Sequence, residues 1–290
     1  MHSIQNDFIR IRVASKGAEL QSISNVITGQ EYMWSGDAAF WGKYSPVLFP
    51  IVGALKENTY YFNGKPYQLP RHGFARDMEF RLHEHAQHRL SFLLESHKDT
   101  LAKYPFNFSF YIDYTIEKDQ LSVSYRITNT GDDDMYFSVG GHPAFRVPLS
   151  DGERYEDYYL QFCQSESTGK WPVTAEGLLE AEPVSFLKNT DRIPLSKELF
   201  YKDAIVLKHL NSNSIKLLSE KSGKGFKFDF PGFPYLGIWA AKDADFVCIE
   251  PWCGIADSVA ADQQLINKEG INRVGPEEEF KRTWSFTILD

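Results

Sequence analysis

Apolar and polar residues alternate through the middle of the chain. Every second residue from Phe106 to Ile116 is apolar, and after the polar loop 117–120 the alternation resumes at Leu121 and continues to Ile127. Because successive side chains of a β-strand point to opposite faces, this pattern predicts a long β-hairpin with one apolar face. Shorter apolar runs predict further strands at residues 9–13, 90–95, 226–230, 246–250 and 284–288.

Turn and helix signals complete a picture dominated by strands. Asn63-Gly64 is a dipeptide favoured in type I′ turns and predicts a second, tight hairpin. Helical patterns are confined to residues 99–104 and 262–269. Many strands, few short helices and no linker predict an all-β fold, namely one large antiparallel β-sandwich domain spanning residues 1–290.

Composition and charge narrow the choice of partners. The chain has 290 residues and carries 31 Lys and Arg residues against 39 Asp and Glu, a formal net charge of −8. This balance argues against nucleic acid or an anionic membrane as the main partner, because both require a basic surface. Three cysteines are too few for a disulfide framework. With neither a signal-peptide pattern nor a long apolar segment, the sequence predicts a cytoplasmic protein with a small-molecule partner.

Three segments place an ionisable residue among glycine, proline and aromatic residues. They contain His72, His142 and Glu250. Taken singly, each has an ordinary structural interpretation: a histidine beside glycine often lies in a turn, and a glutamate often ends a strand. Together, two imidazoles and one carboxylate are sufficient for proton transfer to and from a sugar at neutral pH.

The same segments resemble those of a known family. Residues 71–76 (Arg-His-Gly-Phe-Ala-Arg), 141–145 (Gly-His-Pro-Ala-Phe) and 249–252 (Ile-Glu-Pro-Trp) are similar to motifs of the aldose 1-epimerase (galactose mutarotase) family, in the family's order and approximate spacing. The resemblance covers nearly the whole chain and is nearest to the galactose-mutarotase-related bacterial branch. It implies a large β-sandwich with a carbohydrate cleft on one concave sheet, and chemistry that needs no metal or organic cofactor.

The resemblance also implies roles for individual residues. Glu250 would remove the proton from the anomeric hydroxyl, His142 would protonate the ring oxygen, and His72 would hydrogen-bond the developing charge or the sugar hydroxyls. Partial burial of Glu250 would raise its pKa and make it a better base. The residues expected to contact the sugar are Arg71, Arg76, Asp203, Lys56 and Trp252.

The identity of the sugar stays open at this level. Characterised galactose mutarotases carry an arginine in the region matching residues 50–58, where this chain has none, so Lys56 or Arg76 would have to substitute. Hexose-6-phosphate mutarotases share the His-Gly-Phe-Ala-Arg segment, and this resemblance implies that Arg76 could bind the phosphate group of a sugar phosphate. Asp77 and Glu79 follow closely and could neutralise Arg76. The sequence therefore favours a neutral aldose over a sugar phosphate, in a monomer or a homodimer.

Two functions from other classes remain as alternatives. A carbohydrate-binding or regulatory protein could keep the cleft with little turnover. A metal-dependent hydrolase could use His83, His85 and His88 as zinc ligands. We interpret this histidine segment instead as a solvent-exposed hairpin turn, because charged residues surround it and no fourth ligand is evident.

Overall fold

The computed structural model describes residues 1–289, and within them antiparallel β-strands are the predominant secondary structure. The strands are β1 (His2–Gln5), β2 (Ile9–Val13), β3 (Leu20–Asn25), β4 (Val47–Leu48), β5 (Thr59–Phe62), β6 (Lys65–Gln68), β7 (Arg81–Ala86), β8 (Arg89–Glu95), β9 (Phe108–Glu117), β10 (Gln120–Asn129), β11 (Met135–Phe137), β12 (Val139–Gly141), β13 (Ala144–Arg146), β14 (Tyr158–Lys170), β15 (Val184–Pro194), β16 (Ile205–Lys208), β17 (Ser214–Ser219), β18 (Gly225–Asp229), β19 (Tyr235–Trp239), β20 (Phe246–Cys253), β21 (Asn272–Val274) and β22 (Glu279–Leu289). The predicted all-β fold class is confirmed.

A nine-stranded sheet forms the larger layer. Its strands follow the order β15-β14-β17-β18-β22-β10-β9-β8-β7. The alternating region predicted as a hairpin is the β9–β10 pair, in which Glu117 lies opposite Gln120 across the turn. Apolar side chains of this pair, including Phe110, Ile112 and Leu121, are almost fully buried. The alternation in the sequence therefore marks a sheet with one face in the core and the other largely polar.

A six-stranded sheet forms the second layer and differs in its burial. Its order is β16-β19-β20-β12-β4, and β13 also pairs with β20. All eight residues of β20 are buried, so this strand is covered on both faces. A smaller three-stranded sheet, β1-β2-β3, and the two-stranded pairs β5–β6 and β11–β21 complete the fold. The central position of β20 places its side chains between the core and the cleft described below.

Helical segments are short, and one predicted helix is wrong. The single α-helix within residues 1–289 is α1 (Lys98–Leu101), which overlaps the region predicted as residues 99–104. The expected helix at residues 262–269 is only a 3₁₀ turn, Leu265–Asn267. Gln263 has a φ of +62°, which breaks the right-handed helical path. None of the helices in the described part of the chain is long and apolar enough to span a membrane.

Two local predictions about turns have different outcomes. Asn63 and Gly64 both have positive φ, as a type I′ turn requires, and they join β5 to β6 as expected. The prediction of a turn at His83–His88 is wrong for most of the segment. His83 and His85 lie on β7, an edge strand that pairs with β8, because backbone pairing continues through residue 86 around a bulge.

Candidate active site

A cleft of about 370 Å³ opens over the six-stranded sheet. It brings together segments that are far apart in the sequence, including all of the predicted catalytic residues. The predicted site residues that line it are Arg71, His72, Arg76, His142, Asp203, Glu250 and Trp252. Additional walls come from the aromatic residues Trp41 and Trp239 and from a short hairpin that contains Val173 and Leu179.

The floor of the cleft is built on β20. Glu250 and Trp252 are two residues apart on this strand, so their side chains lie on the same face. A Cβ atom on Gly140 of β12 would lie 2.7 Å from the Trp252 indole, and one on Gly237 of β19 would lie 2.3 Å from it. Only glycine on both neighbouring strands leaves the space that the indole occupies. The glycines therefore allow Trp252 to form part of the floor beside Glu250.

His142 lies beside Glu250 at the bottom of the cleft. Its Nε2 is 3.4 Å from Glu250 Oε2, and both side chains are nearly inaccessible to solvent. Its ring stacks on Trp41, with 4.9 Å between ring centroids, and meets Trp239 edge-on at 5.6 Å. Aromatic contacts on two sides fix the imidazole plane next to the carboxyl group. The arrangement can pass a proton between the pair and a bound ligand.

Burial controls the protonation of this pair. It raises the pKa of Glu250 well above the usual value for glutamate, and the opposing effect of the Arg71 charge does not outweigh it. It also lowers the pKa of His142 to about 3, with a further lowering from the cations Arg76 and Arg71. Because the pKa of Glu250 is raised and that of His142 is lowered, a single proton held by the pair rests on the carboxyl group, and a carboxylate–imidazolium pair would hold the same number.

His72 is oriented by the backbone. The residue has a φ of +69°, and its ring Nδ1 accepts a hydrogen bond of 3.1 Å from the backbone N–H of Gly53. Because a backbone N–H can only donate, Nδ1 must be unprotonated and the neutral ring carries its hydrogen on Nε2. Burial, followed by the charges of His142, Arg71 and Arg76, lowers the pKa of His72 well below its usual value. The ring is thus a neutral hydrogen-bond donor at Nε2.

Two arginines and one aspartate border the same space. Arg71 Nη2 lies 3.9 Å from Asp203 Oδ1, and both side chains are partly exposed. Arg76 Nη2 donates to the carbonyl of Arg71 at 2.9 Å, while its Nε lies 3.8 Å from the Asp77 carboxylate. The predicted ion pair between Arg76 and Asp77 is therefore present but long. Asp77 is also shared with Lys43, whose Nζ lies 3.5 Å away.

Unpaired polar atoms concentrate in this cleft. Within residues 1–289, five buried side-chain nitrogen or oxygen atoms have no hydrogen-bond partner, and three of them belong to residues that line it. These are His142 Nδ1, Trp252 Nε1 and Arg76 Nε. Buried polar groups in folded proteins are nearly always paired, so this local excess is typical of a site that binds a polar ligand.

Lys56 does not line the cleft. Its Nζ donates to the carbonyl of Val259 at 3.1 Å and its backbone N–H to Asp257 Oδ2 at 3.0 Å, both outside the cleft. The expectation that Lys56 contacts the sugar is not supported by this position. It rested on the position of Lys56 in residues 50–58, where characterised galactose mutarotases carry an arginine, whereas the Lys56 ammonium group donates to the carbonyl of Val259.

One group of side chains has the composition of a metal site. His142, Cys248 and Glu250 offer ligand atoms within 4.8 Å of one another, and they are the only such group within residues 1–289. Burial and the neighbouring Glu250 raise the pKa of Cys248 well above its usual value. The thiol is therefore protonated, and metals bind the thiolate. The histidines at positions 83, 85 and 88 form no such group, which removes the basis for a zinc hydrolase.

Several residues of the cleft carried no functional signal in the sequence. Gly53, whose backbone N–H orients His72, lies in an apolar stretch that contains no catalytic motif. The only functional feature of this stretch in the sequence is the absence of an arginine. The hairpin that contains Val173 and Leu179 gave no motif at all. Its position depends on long-range pairing of Leu179 with Ser258 and of the preceding Trp171 with Val206, which sequence periodicity cannot predict.

The fold and the cleft define a class of protein, the galactose mutarotase-like β-sandwiches. A galactose mutarotase related enzyme from Lactobacillus acidophilus superposes with a TM-score of 0.93 at 36% identity, over 100% of this chain and 97% of that one. A galactose mutarotase-like protein from Lactobacillus casei gives a TM-score of 0.90 at 28% identity, over 100% of both chains.

Sequence comparison identifies the family within this class. The aldose 1-epimerase family profile matches residues 1–265. The chromosomal LacX protein of Lactococcus lactis is 34% identical over 298 aligned positions, covering 99% of this chain and 99% of LacX. The chain belongs to the aldose 1-epimerase family.

Proposed function

We propose that the protein is an aldose 1-epimerase, which interconverts the α and β anomers of an aldose without a metal or organic cofactor. The observation that carries this proposal is the buried pair of Glu250 and His142, 3.4 Å apart at the bottom of the cleft. Mutarotation requires a base at the anomeric hydroxyl and an acid at the ring oxygen, and this pair supplies both from one place.

The proposed reaction balances within the pair. The reaction begins when the proton held by the pair moves from the Glu250 carboxyl group to His142 Nε2. The Glu250 carboxylate then takes the proton from O1 while His142 Nε2 donates its proton to the ring oxygen, so that the C1–O5 bond breaks and a C1 carbonyl forms. Rotation about C1–C2 and reversal of both transfers then yields the other anomer. The pair holds one proton before and after each step, so no exchange with solvent is needed. Each positioned group contributes roughly 10²- to 10⁴-fold in rate.

Other residues of the cleft support this reaction. Nε2–H of His72 is available to donate to the oxygen that gains negative charge, since Gly53 occupies the other ring nitrogen. Trp252, Trp41 and Trp239 line the cleft and offer apolar surface for a pyranose ring. Asp203 offers a carboxylate at the rim for the sugar hydroxyls.

The test starts from single anomers of glucose and galactose. Polarimetry or NMR would follow their equilibration with and without the protein, and we expect a rate that rises in proportion to protein concentration and is unaffected by EDTA. Saturable sugar binding with no acceleration above the buffer rate would instead identify a carbohydrate-binding protein. Loss of activity on chelation would contradict the cofactor-independent mechanism.

A hexose 6-phosphate is a second candidate substrate. It is favoured by Arg71 and Arg76, which both line the cleft, and by the buried Arg76 Nε, which has no hydrogen-bond partner within residues 1–289. Guanidinium groups suit phosphate because they donate two parallel hydrogen bonds. Glucose and galactose 6-phosphates should be compared with the free sugars at two salt concentrations. A larger kcat/KM for the phosphates that falls with salt and is lost in Arg76→Ala would establish this substrate class over a neutral aldose.

A further inference from the structure

The loop of residues 53–56 holds His72, and this loop is itself attached to one residue outside the cleft wall. The backbone N–H of Asp257 donates to the carbonyl of Ala54 at 2.9 Å, and its carboxylate Oδ2 accepts from the backbone N–H of Lys56 at 3.0 Å. Asp257 therefore binds both sides of residue 55. The attachment lies within four residues of Gly53, whose N–H determines the tautomer of His72.

Gly53 packs closely against Ala256, so a displacement of the neighbouring Asp257 would also displace Gly53. A Cβ atom on Gly53 would lie 2.4 Å from the Cβ of Ala256, the residue before Asp257. Gly53 also accepts the backbone N–H of His72 at 2.8 Å, in addition to donating to its ring. The path from Asp257 to the imidazole thus consists of short backbone hydrogen bonds and one tight contact.

The buried ammonium group of Lys268 binds one carboxylate oxygen of Asp257 and leaves the other to accept from the 53–56 loop. Lys268 Nζ donates to Asp257 Oδ1 at 2.6 Å, and the side chains are 3% and 5% exposed, respectively. A carboxylate in such an environment is tolerated only when its charge is compensated. Lys268 Nζ binds Oδ1, and the backbone N–H of Lys56 donates to the other oxygen, Oδ2. The two oxygens therefore have separate partners, one for charge and one for the loop.

We propose that Asp257, neutralised by Lys268, is a positioning residue that keeps the proton of His72 on Nε2 by holding the 53–56 loop. The role of His72 in catalysis rests on the proposed function. The control of the His72 tautomer by Asp257 does not depend on turnover. It assigns to Asp257 the acceptor oxygen for Lys56 N–H, and to Lys268 the compensation of its charge.

Two double variants separate this role from the stability of the ion pair. Asp257→Asn/Lys268→Met and Asp257→Leu/Lys268→Met both replace the ion pair with neutral side chains of similar volume, which buried sites commonly tolerate. Only the asparagine variant keeps an oxygen that can accept from Lys56 N–H. The methionine leaves that oxygen without a competing donor. Any difference between the two therefore reports the loop hydrogen bond.

The first readout is ¹⁵N NMR of the His72 ring, which distinguishes a protonated from an unprotonated nitrogen and is assigned by comparison with His72→Asn. We expect the asparagine variant to keep the single Nε2–H form and the leucine variant to show a mixture of tautomers. The second readout is anomerisation. We expect kcat/KM to stay within threefold of wild type for the asparagine variant and to fall about tenfold for the leucine variant, which corresponds to one lost hydrogen bond.

Identical ring spectra for the two folded variants would overturn the proposal. If the leucine variant does not fold, Asp257→Ala/Lys268→Met replaces it. Unfolding of both variants that lack the oxygen, with the asparagine variant intact, would show that the hydrogen bond serves folding and would also overturn it. A wild-type protein without turnover would refute the proposed function alone, because the tautomer comparison would still decide the positioning role.

Discussion

Two buried carboxylates, one in each main sheet, have opposite surroundings. Asp113 on β9 is 5% exposed and accepts from Ser91 Oγ at 2.5 Å and Arg126 Nε at 2.6 Å, with Arg89 at 3.3 Å. These partners lower its pKa in spite of burial. Glu250 on β20 is 2% exposed, and its pKa is raised because burial dominates.

The difference shows how similar burial can serve stability in one place and chemistry in another. Asp113 is a compensated charge whose ionised form belongs to the fold. Glu250 faces a weakly basic imidazole in a cleft with unpaired polar atoms, so its proton is available for transfer. We therefore expect substitutions at the two carboxylates to separate activity from stability.

The largest effect is expected for Glu250→Gln. The change preserves shape but removes the base, so turnover should fall by roughly 10²-fold or more while sugar binding largely survives. Below pH 4.5 the free energy of unfolding should be almost unchanged, because the amide resembles the protonated carboxyl group that burial favours. At higher pH the variant should become more stable than wild type, whose unfolded state gains by ionising Glu250. Anomerisation kinetics, sugar titration and thermal unfolding measure the three quantities.

The matched control is Asp113→Asn. It leaves the cleft intact but removes a charge that compensates Arg126 and Arg89. Because both arginines are partly exposed and keep Glu279 and Glu84 as partners, the free energy of unfolding should fall by about 2 kcal/mol. The turnover of the folded fraction should equal that of wild type. The contrast between the sheets would be wrong if Asp113→Asn lost turnover at constant stability, or if Glu250→Gln turned over within a few-fold of wild type.

A smaller effect is expected for His72→Asn, which removes the Nε2 donor. Both sugar affinity and kcat should decrease, with a combined loss in kcat/KM of about tenfold, because in the proposed mechanism the donor would contact the sugar in the ground state and the transition state. The control is His97→Asn, since His97 Nδ1 also accepts a backbone N–H, that of Asp99 at 3.3 Å, at the start of α1. An equal loss of kcat/KM in both variants would show a general effect on folding.

The smallest effects are expected in the pH dependence of stability, and they have opposite signs. The pKa of Asp113 is lowered in the folded state, so its stabilisation is present above the usual aspartate pKa of 3.8 and is lost as pH falls through the folded pKa. The pKa of Glu250 is raised, so its favourable contribution is present below 4.5 and is lost as pH rises through the folded pKa.

Denaturant unfolding at a series of pH values tests these signs. The stability advantage of wild type over Asp113→Asn should shrink on acidification, whereas wild type should weaken relative to Glu250→Gln on alkalinisation. Each slope should be at most about 1.4 kcal/mol per pH unit, the value for one proton. Parallel curves for wild type and Glu250→Gln above pH 4.5 would contradict the raised pKa of Glu250.

Local patterns in the sequence were sufficient for much of the fold. The alternation from Phe106 to Ile127 identified β9 and β10, and Asn63-Gly64 identified the β5–β6 turn, because strand faces and positive φ are properties of a few neighbouring residues. The failure at residues 262–269 has the opposite origin. Asp262 accepts from Gln264 N–H and from the Asn267 side chain, and this local bonding competes with the helix.

The candidate active site likewise has features that the sequence predicted and features that it did not. The residue types and their motifs pointed to His72, His142 and Glu250, since each lies among glycine, proline or aromatic residues in a segment that resembles a motif of the aldose 1-epimerase family. The match of Lys56 to a region where relatives carry an arginine did not predict its contacts, because its side chain bonds to Val259 and does not line the cleft. Which groups meet across the cleft depends on contacts between distant strands, and periodicity contains no information about strand order.

The sequence by itself determined the antiparallel β-architecture and the set of groups capable of proton transfer. Only the tertiary structure decided what each group can do. It left Glu250 without a compensating cation in hydrogen-bond contact and surrounded Asp113 with two arginines. It also set the tautomer of His72 through Gly53. The physical reason is that a pKa and a tautomer depend on burial and on the partners within a few ångströms, and the fold supplies those partners from remote parts of the chain.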